Sequence, residues 1–391
     1  MKIDKKNIFN IFQSGLLLVP GFLYAIFSLA LSSNRLLPDK ANTTLLLLNI
    51  AQLLSFGITI GKYAADLMIL AKLNQNENTA LKKFFFKRVL PFSLLFCLFL
   101  FYSNGPATAF ALFICIPIEV FVIITIVELN ISRRYYTALL LNLIGYPLVF
   151  TAYIIFSNFI NLLEYQILLI FAITSICKLI VAINLRKIRK IRYDVLSMST
   201  QVPLQQAGNY LLFKVDQVVI ASNLVHASFF KFLLPTDYLF YSKFTEVFSG
   251  IATSLGPILA KFKNKNSDVI SIIPLLKKRK FIAILFLAIG IQVFVSFILL
   301  VTIDKLHILM LLPFSIVTLL IIPVNMINYE LYRTNDLKMG NLTNVVCFIV
   351  SAIFITINSF IKSPLLFAWI VPVQLLVFIL IFYYRKSRKY V

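Results

Sequence analysis

The amino-acid sequence predicts an all-α, polytopic integral membrane protein with twelve transmembrane helices. Of its 391 residues, 60% are hydrophobic, against about 45–50% in soluble domains. Only 13% are charged, and these cluster between long apolar runs. The runs reach the ~20 residues that an α-helix needs to cross a bilayer core.

The first run covers 11–31. No small-residue cleavage site follows it, so it reads as a span rather than a signal peptide. The next five cover 43–71, 85–102, 107–129, 136–157 and 162–183. A basic linker, 185–203, separates this half (1–184) from the second half (204–391). There the runs are 204–224, 236–260, 281–302, 306–330, 340–360 and 364–384. Ile-Leu-Ala-Lys closes the second run at Lys72 and the eighth at Lys261, in each case before a basic linker. The same four letters at equivalent places favour a six-plus-six repeat.

Orientation follows from the distribution of Lys and Arg. With both termini cytoplasmic, the inner segments hold 28 of the 37 basic residues, including the linkers 72–88, 186–192 and 261–280 and the tail 385–389. The outer loops hold five: Arg35, Lys40, Lys231, Lys305 and Lys362. This asymmetry also accounts for the net charge of +22. Nucleic-acid binding is excluded as a reading, because the charge lies in short loops rather than on one folded face. Every outer loop is short, which leaves no place for the extramembrane catalytic segments that many membrane enzymes carry, so no enzyme is expected. Cys97, Cys115, Cys177 and Cys347 fall within apolar runs at no metal-ligand spacing and read as buried small hydrophobes. His226 and His307 stand alone, and neither a metal nor a cofactor is expected.

The informative residues are charges inside the runs, because a charged side chain at the bilayer centre costs about 2.5–3.5 kcal/mol on insertion scales. The second run carries Gln52, Thr59 and Asp66 at sevenfold spacing, flanked by Ser55 and Lys62. The seventh aligns Gln205, Asn209, Asp216 and Asn223, with Lys214 on another face near Tyr210 and Gln217. The eighth carries Lys243, Glu246, Gly250, Thr253, Pro257 and Ala260 at steps of three or four. A weaker stripe, Gln13, Tyr24 and Ser28, marks the first. Polar faces on runs one, two, seven and eight point to a shared polar pathway. The competing reading is structural: Ser, Thr and Asn join helices, and Lys62–Asp66 and Lys243–Glu246 are local ion pairs.

Glu119 lies mid-span, two residues after Pro117, with no cation near it in sequence. Such a carboxylate is protonated or paired across the bundle, and it is a candidate for proton coupling. Lys178, in the inner third of its run, is expected to snorkel to the cytoplasmic interface. Prolines interrupt several spans; Pro20-Gly21, on a polar-striped helix, is the candidate gating kink.

The segments FKVDQVVIASNL and YSKFTEVFSGIATSLGPILAKFK, with FGITIGKYAADLMILAK in the first half, resemble Wzx-type polysaccharide (O-antigen) flippases. These belong to the multidrug/oligosaccharidyl-lipid/polysaccharide exporter superfamily. The low glycine count, 11, departs from that group. The resemblance implies two six-helix lobes around a central cavity, alternating access, and a place in the bacterial inner (cytoplasmic) membrane. It also implies flipping of an undecaprenyl-diphosphate-linked oligosaccharide, with membrane lipids, a polysaccharide polymerase and a chain-length regulator as partners. Lys62, Lys214 and Lys243 would hold the diphosphate as point charges. Asp66, Glu119, Asp216 and Glu246 are the acidic or ion-coupling candidates. The alternatives are an ion-coupled drug or small-molecule exporter of the same fold and, more distantly, a membrane-embedded polymerase. A major facilitator is disfavoured because KLNQNENTALKK lacks that group's Gly-Asp-Arg pattern.

Overall fold

In apolar surroundings a chain must satisfy its backbone hydrogen bonds internally, and a helix does so within one segment. The computed structural model describes residues 19–32, 37–59, 85–131, 134–187, 201–222, 238–243, 290, 308–333 and 337–389. Among these the regular structure is helical throughout, with no strand. The chain divides into two units, Met1–Ala207 with Gln217–Val225, and Gly208–Asp216 with His226–Val391.

In the first unit the helices are α1 (Val19–Ser32), α2 (Ala41–Gly57), α3 (Leu90–Asn104), α4 (Pro106–Ile131), α5 (Tyr135–Leu143), α6 (Tyr146–Phe159) and α7 (Glu164–Lys187). Helix α8 (Gln201–Ala221) contributes Gly208–Asp216 to the second unit. That unit also holds the helical segment 238–243, α9 (Ile308–Arg333), α10 (Leu337–Ile361), α11 (Pro364–Ala368) and α12 (Ile370–Lys389). Among the described residues, five stretches are long and apolar enough to cross a membrane: Pro106–Ile126, Tyr136–Phe159, Glu164–Leu185, Lys338–Ile361 and Pro364–Arg385.

Side-chain placement along α7 and α10 is the reverse of a soluble helix, whose apolar stripe faces inward. On α7, Leu169, Ile173, Ile176 and Ile180 are exposed, whereas Thr174, Ser175 and Lys178 are buried. On α10, Val345, Phe348, Ile349 and Ile353 face out while Asn344, Cys347, Ser351 and Asn358 are buried. Lipid is the surrounding that stabilises such an arrangement. The protein is an all-helical, membrane-embedded protein. Many buried hydroxyls are satisfied within their own helices, as in Ser93 to Val89, Thr174 to Ile170 and Thr318 to Phe314.

Packing in the first unit centres on α4, which lies along both α3 and α7. Val122, Ile126 and Leu129 of α4 bury against Ala138 and Leu141 of α5 and Ala182 of α7. In the second unit α12 packs on α9 and α10.

The fifth apolar run lies within the candidate span Tyr136–Phe159, and it breaks at Ile144–Gly145 between α5 and α6, just before Pro147, one of the prolines expected to interrupt a span, which cannot donate to a preceding turn. Cys177 is exposed on the outward face of α7, unlike the other three cysteines. Pro20 and Gly21 are the second and third described residues of α1; the residues before Val19 lie outside the described ones, and with them the geometry of the kink expected at Pro20-Gly21.

Helices α3 and α4 meet in a one-residue connection, Gly105, with φ +92° and ψ 169°. Only glycine adopts that region without strain, and Pro106 then starts α4 with a preset φ. A Cβ at Gly105 would meet nothing within 4 Å, so the cost of substitution is backbone strain alone. Gly105→Ala is expected to destabilise the protein by about 1–3 kcal/mol, read as a lower thermal midpoint in detergent; an unchanged midpoint would contradict the left-handed turn.

Candidate functional site

Two buried polar centres emerge, one in each unit. In the first, α4 and α7 bring Glu119 and Lys178 together across the bundle. Lys178 Nζ donates to Glu119 Oε2 at 2.6 Å, and Ser175 Oγ donates to Oε1 at 2.8 Å. Both charged side chains are more than nine-tenths buried. Glu119 is therefore paired across the bundle, one of the two states expected for it. Lys178 does not snorkel: its ammonium turns inward to the carboxylate, which compensates its desolvation.

Local structure makes room for that ammonium. The break between α5 and α6 places Gly145 against it, and a Cβ there would lie 2.9 Å from Lys178 Nζ. Tyr146, first residue of α6, exchanges a hydrogen bond with Ser55 at 2.8 Å and donates to the Ala51 carbonyl at 3.2 Å. Its ring also meets Tyr24, 4.9 Å between centroids. Gln52, Ser55 and Thr59 of the second-run stripe are buried. Lys62 and Asp66 lie outside the described residues, as do Glu246 and the rest of the eighth-run stripe beyond Lys243.

The second centre forms around α8. Lys214 has non-helical dihedrals, φ −141° and ψ 23°, inside an otherwise helical segment. Its Nζ lies 5.5 Å from the Tyr210 ring centroid, on the side that the periodicity indicated. Beyond the break, Asp216 is buried, 1% exposed. Tyr238 donates to Asp216 Oδ2 at 2.8 Å, its own ring held by Phe314 and Phe367. Five residues further along the same helical segment, Lys243 is 1% exposed. Asn209, also of the α8 stripe, accepts from Asn344 of α10 at 3.2 Å.

Gln374 of α12 completes this centre, and sequence reasoning passed over it. Its Nε2 donates to the carbonyls of Leu211 and Leu212, at 2.9 and 2.6 Å. Its Oε1 accepts from Ser351 of α10. An amide in the middle of a predicted span was the available signal. Tyr238 was likewise missed, being at the edge of its run, where tyrosine is common in membrane proteins.

The arrangement provides a neutralised ion pair in the first unit and, in the second, an interrupted helix flanked by Lys214, Asp216 and a buried lysine. Removing one partner of a buried ion pair costs about 3–5 kcal/mol, because the other charge is left uncompensated. Lys178→Met should lower the thermal midpoint of the detergent-solubilised protein sharply, and Glu119→Gln/Lys178→Met should recover most of the loss. Additive losses in that cycle would show that the two side chains do not interact. No protein-family model, curated protein or solved structure matches the chain.

Proposed function

We propose that the protein is a membrane carrier of the flippase type, moving an undecaprenyl-diphosphate-linked oligosaccharide between leaflets by alternating access. The observation that supports this most directly is the interrupted helix α8 with a lysine at the break and an aspartate two residues beyond it. Irregular backbone at membrane depth is stable only inside protein or along a polar cavity, and carriers use such interruptions to bind charged groups. Lys243, fully buried on the following segment, adds a second cation in the same unit.

A diphosphate needs cations, and a lysine ammonium supplies a point charge that strengthens as the dielectric falls. On this reading Lys62, Lys214 and Lys243 face the diphosphate, Asp66, Asp216 and Glu246 balance them between cycles, and the lipid tail stays in the bilayer. No bond is made or broken. Coupling through Glu119 would require a proton to displace Lys178 from its carboxylate, which links the ion cycle to movement between α4 and α7.

Deleting the protein should cause lipid-linked sugar to accumulate on the cytoplasmic leaflet, with loss of surface polysaccharide. Unchanged polysaccharide and no accumulation would overturn the reading. Gained sensitivity to cationic drugs in the same strain would instead favour the small-molecule exporter. A charge-assisted contact contributes about 1.5–3 kcal/mol, so Lys214→Ala or Lys243→Ala should each reduce transport about tenfold or more at unchanged membrane abundance. A fully active double variant would remove both lysines from the site.

A further inference from the structure

The interruption in α8 has no local cause. Sharp breaks in helices arise at proline, at Gly/Ser pairs, at π-bulges, or where a side chain enters the backbone hydrogen-bond ladder. Residues 210–218 of α8 read Tyr-Leu-Leu-Phe-Lys-Val-Asp-Gln-Val, with neither proline nor glycine. Lysine itself is a good helix former. The cause therefore lies in what packs against the helix.

In a regular helix the amide of residue i donates to the carbonyl of i−4. The regular bonds that span residue 214 are those accepted by the carbonyls of Leu211, Leu212 and Phe213, and the dihedrals of Lys214 turn the donor amides away from them. Gln374 Nε2 sits on two of these, Leu211 and Leu212. A carboxamide nitrogen has two hydrogens, one for each carbonyl. Its oxygen is taken by Ser351 Oγ, which orients the amide. Gln374 is 2% exposed and Ser351 1%, so water does not compete for these groups. The Cys347 thiol on the α12 backbone at Gln374, 3.4 Å to its carbonyl, joins the same two helices at that level.

We propose that Gln374 is the positioning residue of the α8 site: its amide replaces two backbone bonds of α8, holds the helix interrupted, and so sets where Lys214 and Asp216 stand. The inference concerns the site named under the proposed function, and its role in transport rests on that reading. The interruption is a property of the second unit as a whole, supplied by α10 and α12. Because a continuous α8 would recover its own bonds, the segment has two arrangements, and Gln374 selects the open one. Loosening the contact of α12 with α8 lets the helix close and moves the lysine.

Proline at position 215 tests this without a transport assay. Its ring removes the amide that would donate to Leu211 and clashes with that carbonyl in a regular helix. Where Gln374 already occupies the carbonyl, the substitution is tolerated. In the purified full-length protein, Val215→Pro should leave the thermal midpoint within a few degrees of wild type. Val219→Pro, one turn on in regular helix, should lower it by about 5 °C or more. Gln374→Leu should lower it too, and in that background Val215→Pro should lower it further by about 5 °C or more, because proline then blocks the closed helix in which the Leu211 carbonyl regains its partner. Two outcomes overturn the proposal: Val215→Pro as damaging as Val219→Pro in the otherwise unchanged protein, or Val215→Pro as harmless in the Gln374→Leu background as it is alone. If Gln374→Leu yields no folded protein, the two proline variants still decide, and Gln374→Glu takes its place in the cycle. Where lipid-linked sugar accumulates in the deletion strain, Gln374→Leu should impair flipping and Val215→Pro alone should not. A stable Val215→Pro protein in a strain without that accumulation would leave the positioning role intact and fault only the flippase reading.

Discussion

Every polar backbone group surrounded by apolar side chains or lipid must find a partner inside the protein, and the membrane-spanning parts of this chain are arranged around that requirement. Where a helix is continuous, the requirement is met locally. Where α8 is interrupted, it is met by a glutamine more than 150 residues away in sequence. An unsatisfied buried carbonyl costs about 1–3 kcal/mol, so leaving Leu211 and Leu212 without partners would close the helix or unfold the region. The break and Gln374 are therefore one feature seen from two elements. The charges at Lys214 and Asp216 inherit their placement from it.

The same requirement applies to charge. Glu119 and Lys178 come from helices whose exposed faces are apolar, Phe110 and Ile114 on α4 and Leu169, Ile173, Ile176 and Ile180 on α7, and neither charge is stable there alone. Together, with Ser175 on the second carboxylate oxygen, they make a neutral unit. The α5–α6 break places Gly145, which has no side chain, where the ammonium lies. An interruption in one helix thus accommodates a cation from another, and the arrangement in the first unit parallels in principle the one around α8.

What could be read from the sequence divides along the same line. Helical class and membrane embedding follow from length and hydropathy, properties of each segment alone. Burial of Gln52, Ser55, Thr59, Gln205, Asn209 and Asp216 follows from periodicity within one helix, as does the position of Lys214 near Tyr210. Pairings between helices were not legible. Glu119 and Lys178 are 59 positions apart, and nothing in either run specifies the other. The α8 break was invisible because its cause lies on α12. The α5–α6 break, by contrast, had a local signal in Pro147, which removes a backbone hydrogen bond within its own run.

These pairings also sort the lysines within the runs. Sequence reasoning set Lys178 apart from Lys62, Lys214 and Lys243 because a long side chain near a helix end can reach water. The structure sets it apart for a different reason: its charge is compensated at 2.6 Å by Glu119 within its own unit. A cation so engaged contributes little field to an approaching phosphate, because the pair presents a dipole rather than a charge. Lys214 differs in kind. Its ammonium lies over the Tyr210 ring, a contact worth about 0.5–2 kcal/mol. On the proposed function, a lysine at a helix break stands where the backbone no longer fixes the direction of its side chain, whereas the Glu119–Lys178 pair joins α4 to α7 within the first unit.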